Sequence, residues 1–274
     1  MEYVEANGVR FAYLSEGSGP LVLLLHGFPD TPHTWDRVMP AVAGAGFRVV
    51  APYMRGYHPT AIPADGKYDG DTLGRDVLGL IEALGEQKAI VVGHDWGALA
   101  TYTAAALGPE RLRAIVTVGV PHPRAVYPPG PRVLWTVRHF FVLRNKRAAD
   151  KIRAKSHAYI DELVRRWSPA WTDMPAEETA RVKEVFAHPG SLEAACAYYA
   201  ALSPLMPASL QATIRVPTVA FAGMHDNVSI RAYEKARPCF GATYEVVRVP
   251  GGHFMHREHP AEFIPELLRV LRAA

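Results

Sequence analysis

The chain has 274 residues, with 30 basic and 27 acidic side chains, 49% hydrophobic and 21% charged. That composition excludes disordered, collagen-like and disulfide-scaffold proteins and suits a domain that buries roughly three quarters of its unfolded surface. The formal charge of +3 conceals an uneven spread, because residues 122–185 hold 13 basic against 7 acidic side chains.

Cys196 and Cys239 cannot make a disulfide framework, and residues 1–11 show no basic-then-apolar leader pattern. The longest apolar run, Leu21 to Leu25, is far short of the ~20 residues a membrane helix needs. A cytoplasmic protein without a spanning segment is expected, and no Cys and His cluster has metal-ligand spacing.

In chain order, Leu21–Leu25 is a continuous apolar run of the kind buried on both faces of a parallel sheet. Similar short runs at Phe47–Ala51, Ala89–Val92, Leu112–Val118, Thr218–Ala222 and Tyr244–Val249 predict further strands. Amphipathic helical patterns lie between or after them, at Thr72–Leu84, Trp96–Leu107 and Ala261–Leu271. Strand and helix alternate, so the class is α/β with a mostly parallel sheet.

The alternation stops at Pro121. Helical patterns at Val133–Arg144, Ala148–Trp167, Glu177–Phe186 and Ser191–Leu202 follow, and strand character returns at Val216. Residues 122–212 are therefore expected to form a helical insert in one catalytic core made of residues 1–121 and 213–274. The basic segment falls in this insert, where its Arg and Lys alternate with acids; solvated helix faces rather than a nucleic-acid site are expected.

Gly93-His94-Asp95-Trp96-Gly97 stands where the run Ala89–Val92 ends and a helical pattern begins. Two glycines flanking one reactive residue there permit the sharp turn that lifts a nucleophile above a sheet edge. The reactive residue is a carboxylate. An aspartate is anionic at neutral pH and can displace a leaving group at an sp3 carbon, which leaves an alkyl ester that water must cleave.

The second step needs a base, a group to orient it and oxyanion donors. His253, in Pro250-Gly251-Gly252-His253-Phe254 after a late strand, is the expected base, with His256 and His259 read as surface residues. Asp226, on the turn Gly223-Met224-His225-Asp226, is the expected orienting acid. The segment Gly119–His122 occupies the alternative acid position but contains no carboxylate. The N–H groups of Phe28, in His26-Gly27-Phe28-Pro29-Asp30, and of Trp96 are the expected oxyanion donors.

These motifs, together with Arg55-Gly56-Tyr57 and the pattern from Gly252 through Glu258 to Pro260, occur in the order and spacing of the α/β-hydrolase-fold epoxide hydrolases, which the chain resembles outside the insert. The resemblance implies an α/β-hydrolase fold with a helical cap after the sixth strand. It implies a cofactor-independent conversion of an epoxide to a vicinal diol, with water as the second substrate, in a monomer or homodimer that binds no nucleic acid and no metal.

In that family two cap tyrosines hydrogen-bond the epoxide oxygen. Tyr199 is the expected second of them, with Tyr198 as the fallback. His139 occupies the place of the first and resembles the variant cap of Cif-type enzymes. His26, Pro29, Trp135 and Tyr198 are expected to line the substrate pocket. Departures at Ala51–Met54, His58 and Ala200 leave pocket shape open. Haloalkane or haloacetate dehalogenases share the Asp nucleophile and are the alternative, weakened by Phe28 and Trp96 where their halide or carboxylate ligands belong. A non-enzymatic ligand-binding member of the fold is a further one.

Overall fold

The computed structural model describes residues 1–274, the side chains of Arg132 and Lys155 excepted. Eight strands among the described residues form one sheet: β1 (Glu2–Ala6), β2 (Val9–Glu16), β3 (Leu21–Leu25), β4 (Arg48–Pro52), β5 (Ala89–His94), β6 (Leu112–Val118), β7 (Thr218–Gly223) and β8 (Tyr244–Val249). Their spatial order is β1-β2-β4-β3-β5-β6-β7-β8. β1–β2 and β2–β4 pair antiparallel, and every later neighbour is parallel.

The six strands read from sequence are present, with ends that shift by no more than two residues. The first two were not among them. Their turn, Asn7-Gly8, has φ 44° and 74°, and Asn-Gly with both residues left-handed is the strongest short-range hairpin signal. That signal was present in the sequence.

Continuous apolar strands make sense once the sheet is seen covered on both sides. Successive residues of a strand point to opposite faces. Leu21, Leu23 and Leu25 accordingly join one buried cluster with Val50 and Val91, while Val22 and Leu24 join the other with Val49, Ile90 and Val92.

The helices that bear on the site are α1 (Gly70–Ala83), α2 (Trp96–Leu107), α3 (Pro131–Thr136), α4 (His139–Leu143), α5 (Ala158–Trp167), α6 (Ala180–Ala187), α7 (Ser191–Ala200) and α8 (Pro260–Ala273). Asp69 caps α1 by accepting the Thr72 N–H at 3.0 Å. Between β6 and β7 the named elements are all helical. Two expected long helices there are broken: α3 and α4 divide Val133–Arg144, and Ser156 and His157, with φ 54° and 62°, interrupt Ala148–Trp167. Side chains rarely tolerate that left-handed geometry inside a helix. Among the described residues no helix is long and apolar enough to cross a membrane.

Candidate active site

Asp95 is the junction of β5 and α2, and its backbone sits at φ 53°, ψ −114°, a conformation that costs a non-glycine residue about 1–3 kcal/mol. The flanking glycines make the turn possible. A Cβ on Gly93 would fall 2.2 Å from the Gly97 carbonyl oxygen, and one on Gly97 would fall 2.5 Å from that of Leu25. Strand and helix therefore approach more closely than any side chain allows. Gly27 serves the same end from β3's loop, since its Cβ would meet the Asp95 carboxylate at 2.4 Å.

The Phe28 N–H donates to Asp95 Oδ1 at 2.8 Å. Trp96, as the first residue of α2, has no intrahelical acceptor for its own N–H. Asp95 Oδ2 lies 3.5 Å from His253 Nε2, and the opposite ring nitrogen, Nδ1, is 3.2 Å from Asp226 Oδ2. Asp226 is itself fixed by the turn, where its Oδ1 accepts the Val228 N–H at 3.0 Å. Nucleophile candidate, imidazole and second carboxylate thus form one line across the carboxyl ends of β5, β7 and β8.

Burial opposes a charge on His253, but the Coulomb attraction and hydrogen bond of Asp226, with the pull of Asp95, outweigh it and raise its pKa to about 10. The ring has a carboxylate on each side, at Nε2 and at Nδ1. Other buried histidines go the other way. Burial drives His139 down to about 3 against the attraction of Asp95, and His26 to about 4; His94 and His256 are lowered well below their ordinary value by burial and neighbouring cations.

On the other side of Asp95 stand α4 and α7. Tyr199 packs edge-on against Trp96 and Phe28, with ring centroids 5.1 and 5.4 Å apart, and against Phe140 at 5.1 Å. Burial, then Asp95, raise its phenol pKa well above the ordinary value, with a hydrogen bond from Trp96 pulling the other way. It stays protonated and can donate. The His139 ring lies 6.0 Å from Tyr199 and 4.7 Å from Trp167. A neutral imidazole keeps one N–H to donate.

The four expected pocket residues are placed in different ways. Tyr198 turns away from Asp95 and donates its hydroxyl to the Arg55 carbonyl at 2.7 Å; neighbours on a helix point about 100° apart. His26 is wholly buried with both nitrogens engaged, Nδ1 on the Gly27 carbonyl and Nε2 accepting the Met54 N–H. Trp135 is 69% exposed on the outer surface, because the break between α3 and α4 directs His139 inward and leaves Trp135 outside. Pro29 is buried beside Phe28. Expected as a surface residue, His256 is fully buried, its Nε2 2.6 Å from Thr34 Oγ1 and its ring on Trp35. Chain reversal after β8 folds it beneath the elbow. Arg55 is also internal, bonded to Asp76 through Nε and Nη2.

Several residues around His253 carry no sequence signal. Its backbone N–H donates to the Trp167 carbonyl at 3.0 Å, and its carbonyl meets His94 Nε2 at 3.1 Å. Ser168 Oγ accepts the Phe254 N–H at 3.3 Å and donates to Glu258, whose carboxylate also takes the Gly252 N–H. Trp167 and Ser168 end α5, so the imidazole's loop is pinned directly to the helical segment. Gly119, at φ 77°, lies under the ring; a Cβ there would come within 2.9 Å of His253 Cε1. His94, Gly119, Gly252, Phe254 and Glu258 lie within motifs that spacing could single out; Trp167 and Ser168 are remote in sequence.

Asp30, His94 and His256 bring possible ligand atoms within 4.8 Å of one another. Asp30 is already bonded to Arg257 at 3.1 Å and to the Thr31 N–H, and His94 and His256 each spend Nε2 on His253 and Thr34. The group reads as a polar buttress beneath the elbow.

The model describing the alpha/beta hydrolase fold matches residues 20–260. The chain is 30% identical to the AB hydrolase superfamily protein YfhM of Bacillus subtilis (strain 168) over 286 residues, covering 99% of this chain and 97% of that protein. It is 44% identical over 119 residues to an epoxide hydrolase of Caballeronia sordidicola, a match spanning 43% of this chain and 36% of that relative. Among solved structures, the epoxide hydrolase CorEH without ligand superimposes with a TM-score of 0.85 at 26% identity, over 99% of this chain and 98% of that one.

Proposed function

We propose, from the premise that the chain belongs to the alpha/beta hydrolase fold family, that it is an epoxide hydrolase that makes a vicinal diol through an alkyl ester on Asp95. The observation that carries this reading is a carboxylate in the nucleophile position, 3.5 Å from an imidazole, with a buried phenol and a neutral imidazole on its other side. We read residues 122–212 as the cap that supplies those two groups, and residues 1–121 and 213–274 as the catalytic core.

In the first step an Asp95 oxygen attacks an epoxide carbon as that carbon's bond to oxygen breaks. The departing alkoxide is strongly basic and needs a donor. Tyr199 O–H and the His139 N–H supply it, and both are uncharged, as a donor toward an incoming oxygen should be. Ester formation then removes the negative charge of Asp95. One of the two carboxylates that hold the proton on His253 is gone, so the imidazole gives that proton up once the ester exists, and the one proton the alkoxide takes up to become a hydroxyl balances it.

In the second step neutral His253, oriented by Asp226, takes a proton from water as the water attacks the ester carbonyl. The oxyanion forms within reach of the Phe28 and Trp96 N–H groups. Collapse returns the Asp95 carboxylate and releases the diol.

Replacing His253 with Gln and following intact mass tests the reading against its alternatives. Incubation with a panel of epoxides is expected to accumulate an adduct of the whole epoxide mass. An adduct from haloalkanes that lacks the halogen would instead indicate a dehalogenase, and no adduct with either panel would remove Asp95 as a nucleophile.

A further inference from the structure

The helices that turn His139 inward present a very different face outward. Leu134, Trp135 and Phe141 are 42%, 69% and 68% exposed, two of them on α3 and one on α4. The Arg138 guanidinium lies over the Trp135 ring at 4.4 Å and donates to the Trp135 carbonyl at 2.8 Å. Arg144, Lys146 and Arg147 follow, all exposed.

The charge here is one-sided. Residues 122–149 contain Arg124, Arg132, Arg138, Arg144, Lys146 and Arg147 and no Asp or Glu. Some arginines elsewhere have acidic partners, as Arg153 has Glu193, Arg248 has Glu234 and Arg269 has Glu245. Among the described residues Arg138, Arg144, Lys146 and Arg147 have none. A stripe of exposed aromatic and aliphatic side chains rimmed by uncompensated cations fits a surface that offers acyl chains at one depth and anionic headgroups just above. Phosphates alone would leave Leu134 and Phe141 without a partner.

We propose that the outer face of α3 and α4 docks on an anionic lipid bilayer. Docking would bring the far side of the His139 helix against the membrane, where apolar molecules concentrate. Resting on the epoxide reading, this points to lipophilic epoxides dissolved in the bilayer as the substrate class.

The test is sedimentation of the full chain with phosphatidylcholine vesicles and with vesicles of phosphatidylcholine and phosphatidylglycerol at 7:3. The wild type is expected to sediment with the anionic vesicles and remain in solution with the neutral ones. Both Trp135→Ala/Phe141→Ala and Arg144→Gln/Lys146→Gln/Arg147→Gln should lower the bound fraction at least fivefold, with unchanged circular dichroism and Tm showing that the variants fold. No sedimentation with anionic vesicles, or binding that neither variant reduces, overturns the proposal. So does a Trp135→Ala/Phe141→Ala change confined to oligomeric state in sedimentation velocity, which would make the face a self-association surface. Because the readout needs no turnover, its outcome is independent of whether the chain hydrolyses epoxides.

Discussion

The two halves of the candidate site are held by different forces. On the sheet side, Asp95, His253 and Asp226 are fixed by hydrogen bonds, by a strained backbone and by glycines whose replacement would drive atoms within 3 Å of one another. On the helical side, His139 and Tyr199 are held chiefly by ring packing against Trp167, Phe140, Phe28 and Trp96. Bonds fix an atom's position, whereas packing fixes a volume. On the proposed epoxide reading this is a division of labour: the sheet side would set the line of attack and of water activation, and the helical side would shape itself to the leaving oxygen.

Substitutions can break that comparison. The largest effect is expected for Asp95→Ala, with loss of at least about 10⁴-fold in kcat and no covalent adduct by mass, because no other carboxylate stands in its position. Next come Tyr199→Phe and His139→Ala, each expected to slow alkylation of Asp95 by about 10²-fold or more while leaving hydrolysis of a preformed ester nearly unchanged. Single-turnover kinetics separates the two steps, and slowing of ester hydrolysis instead would erase the distinction between the halves.

Ser168→Ala sharpens the comparison at the contact between them. It removes the hydroxyl that links the Phe254 N–H to Glu258, a loss of about 1–2 kcal/mol in the anchoring of the His253 loop. Ester hydrolysis should slow about tenfold with alkylation unaffected, so the alkyl-enzyme should accumulate in the mass spectrum at steady state. An unchanged steady-state population of ester would show that α5 does not position the base.

Stability should also depend on pH. His26, His94, His139 and His256 have pKa values below their ordinary 6.5, so the unfolded chain binds protons that the native one refuses. The contribution of these four is complete above pH 6.5 and falls as pH drops toward 4. His253 has the opposite sign: its raised pKa contributes stability below pH 6.5 that is lost as pH rises toward 10. Tm measured from pH 4 to 10 should decline at both ends, and His253→Gln should flatten the alkaline decline alone.

Much of this was legible in the sequence. The elbow glycines, the Asp between them and the loops carrying Phe28, Asp226 and His253 all follow apolar strands, and strand ends in an open parallel sheet converge on one edge. Local pattern plus that rule placed them together. Tyr198 and Tyr199 could not be separated, because the difference is the rotation of α7 about its axis, which depends on where Arg55 presents its carbonyl. Trp135 and His256 were assigned to the wrong side of the surface for a related reason. Their exposure depends on where one helix breaks and how one loop reverses, and neither leaves a periodic trace.

What the sequence determined by itself was the α/β class and which loops meet at the candidate site, since these depend on local periodicity, turn residues and side-chain type. Tertiary structure alone decided which aromatic faces Asp95, which histidine is buried under the elbow, and that Trp167 and Ser168, some 85 residues before His253 in the chain, hold its loop. Those are contacts between segments distant in sequence. They are set by how the helical segment packs on the sheet, and packing is a property of the assembled surfaces rather than of any one stretch of chain.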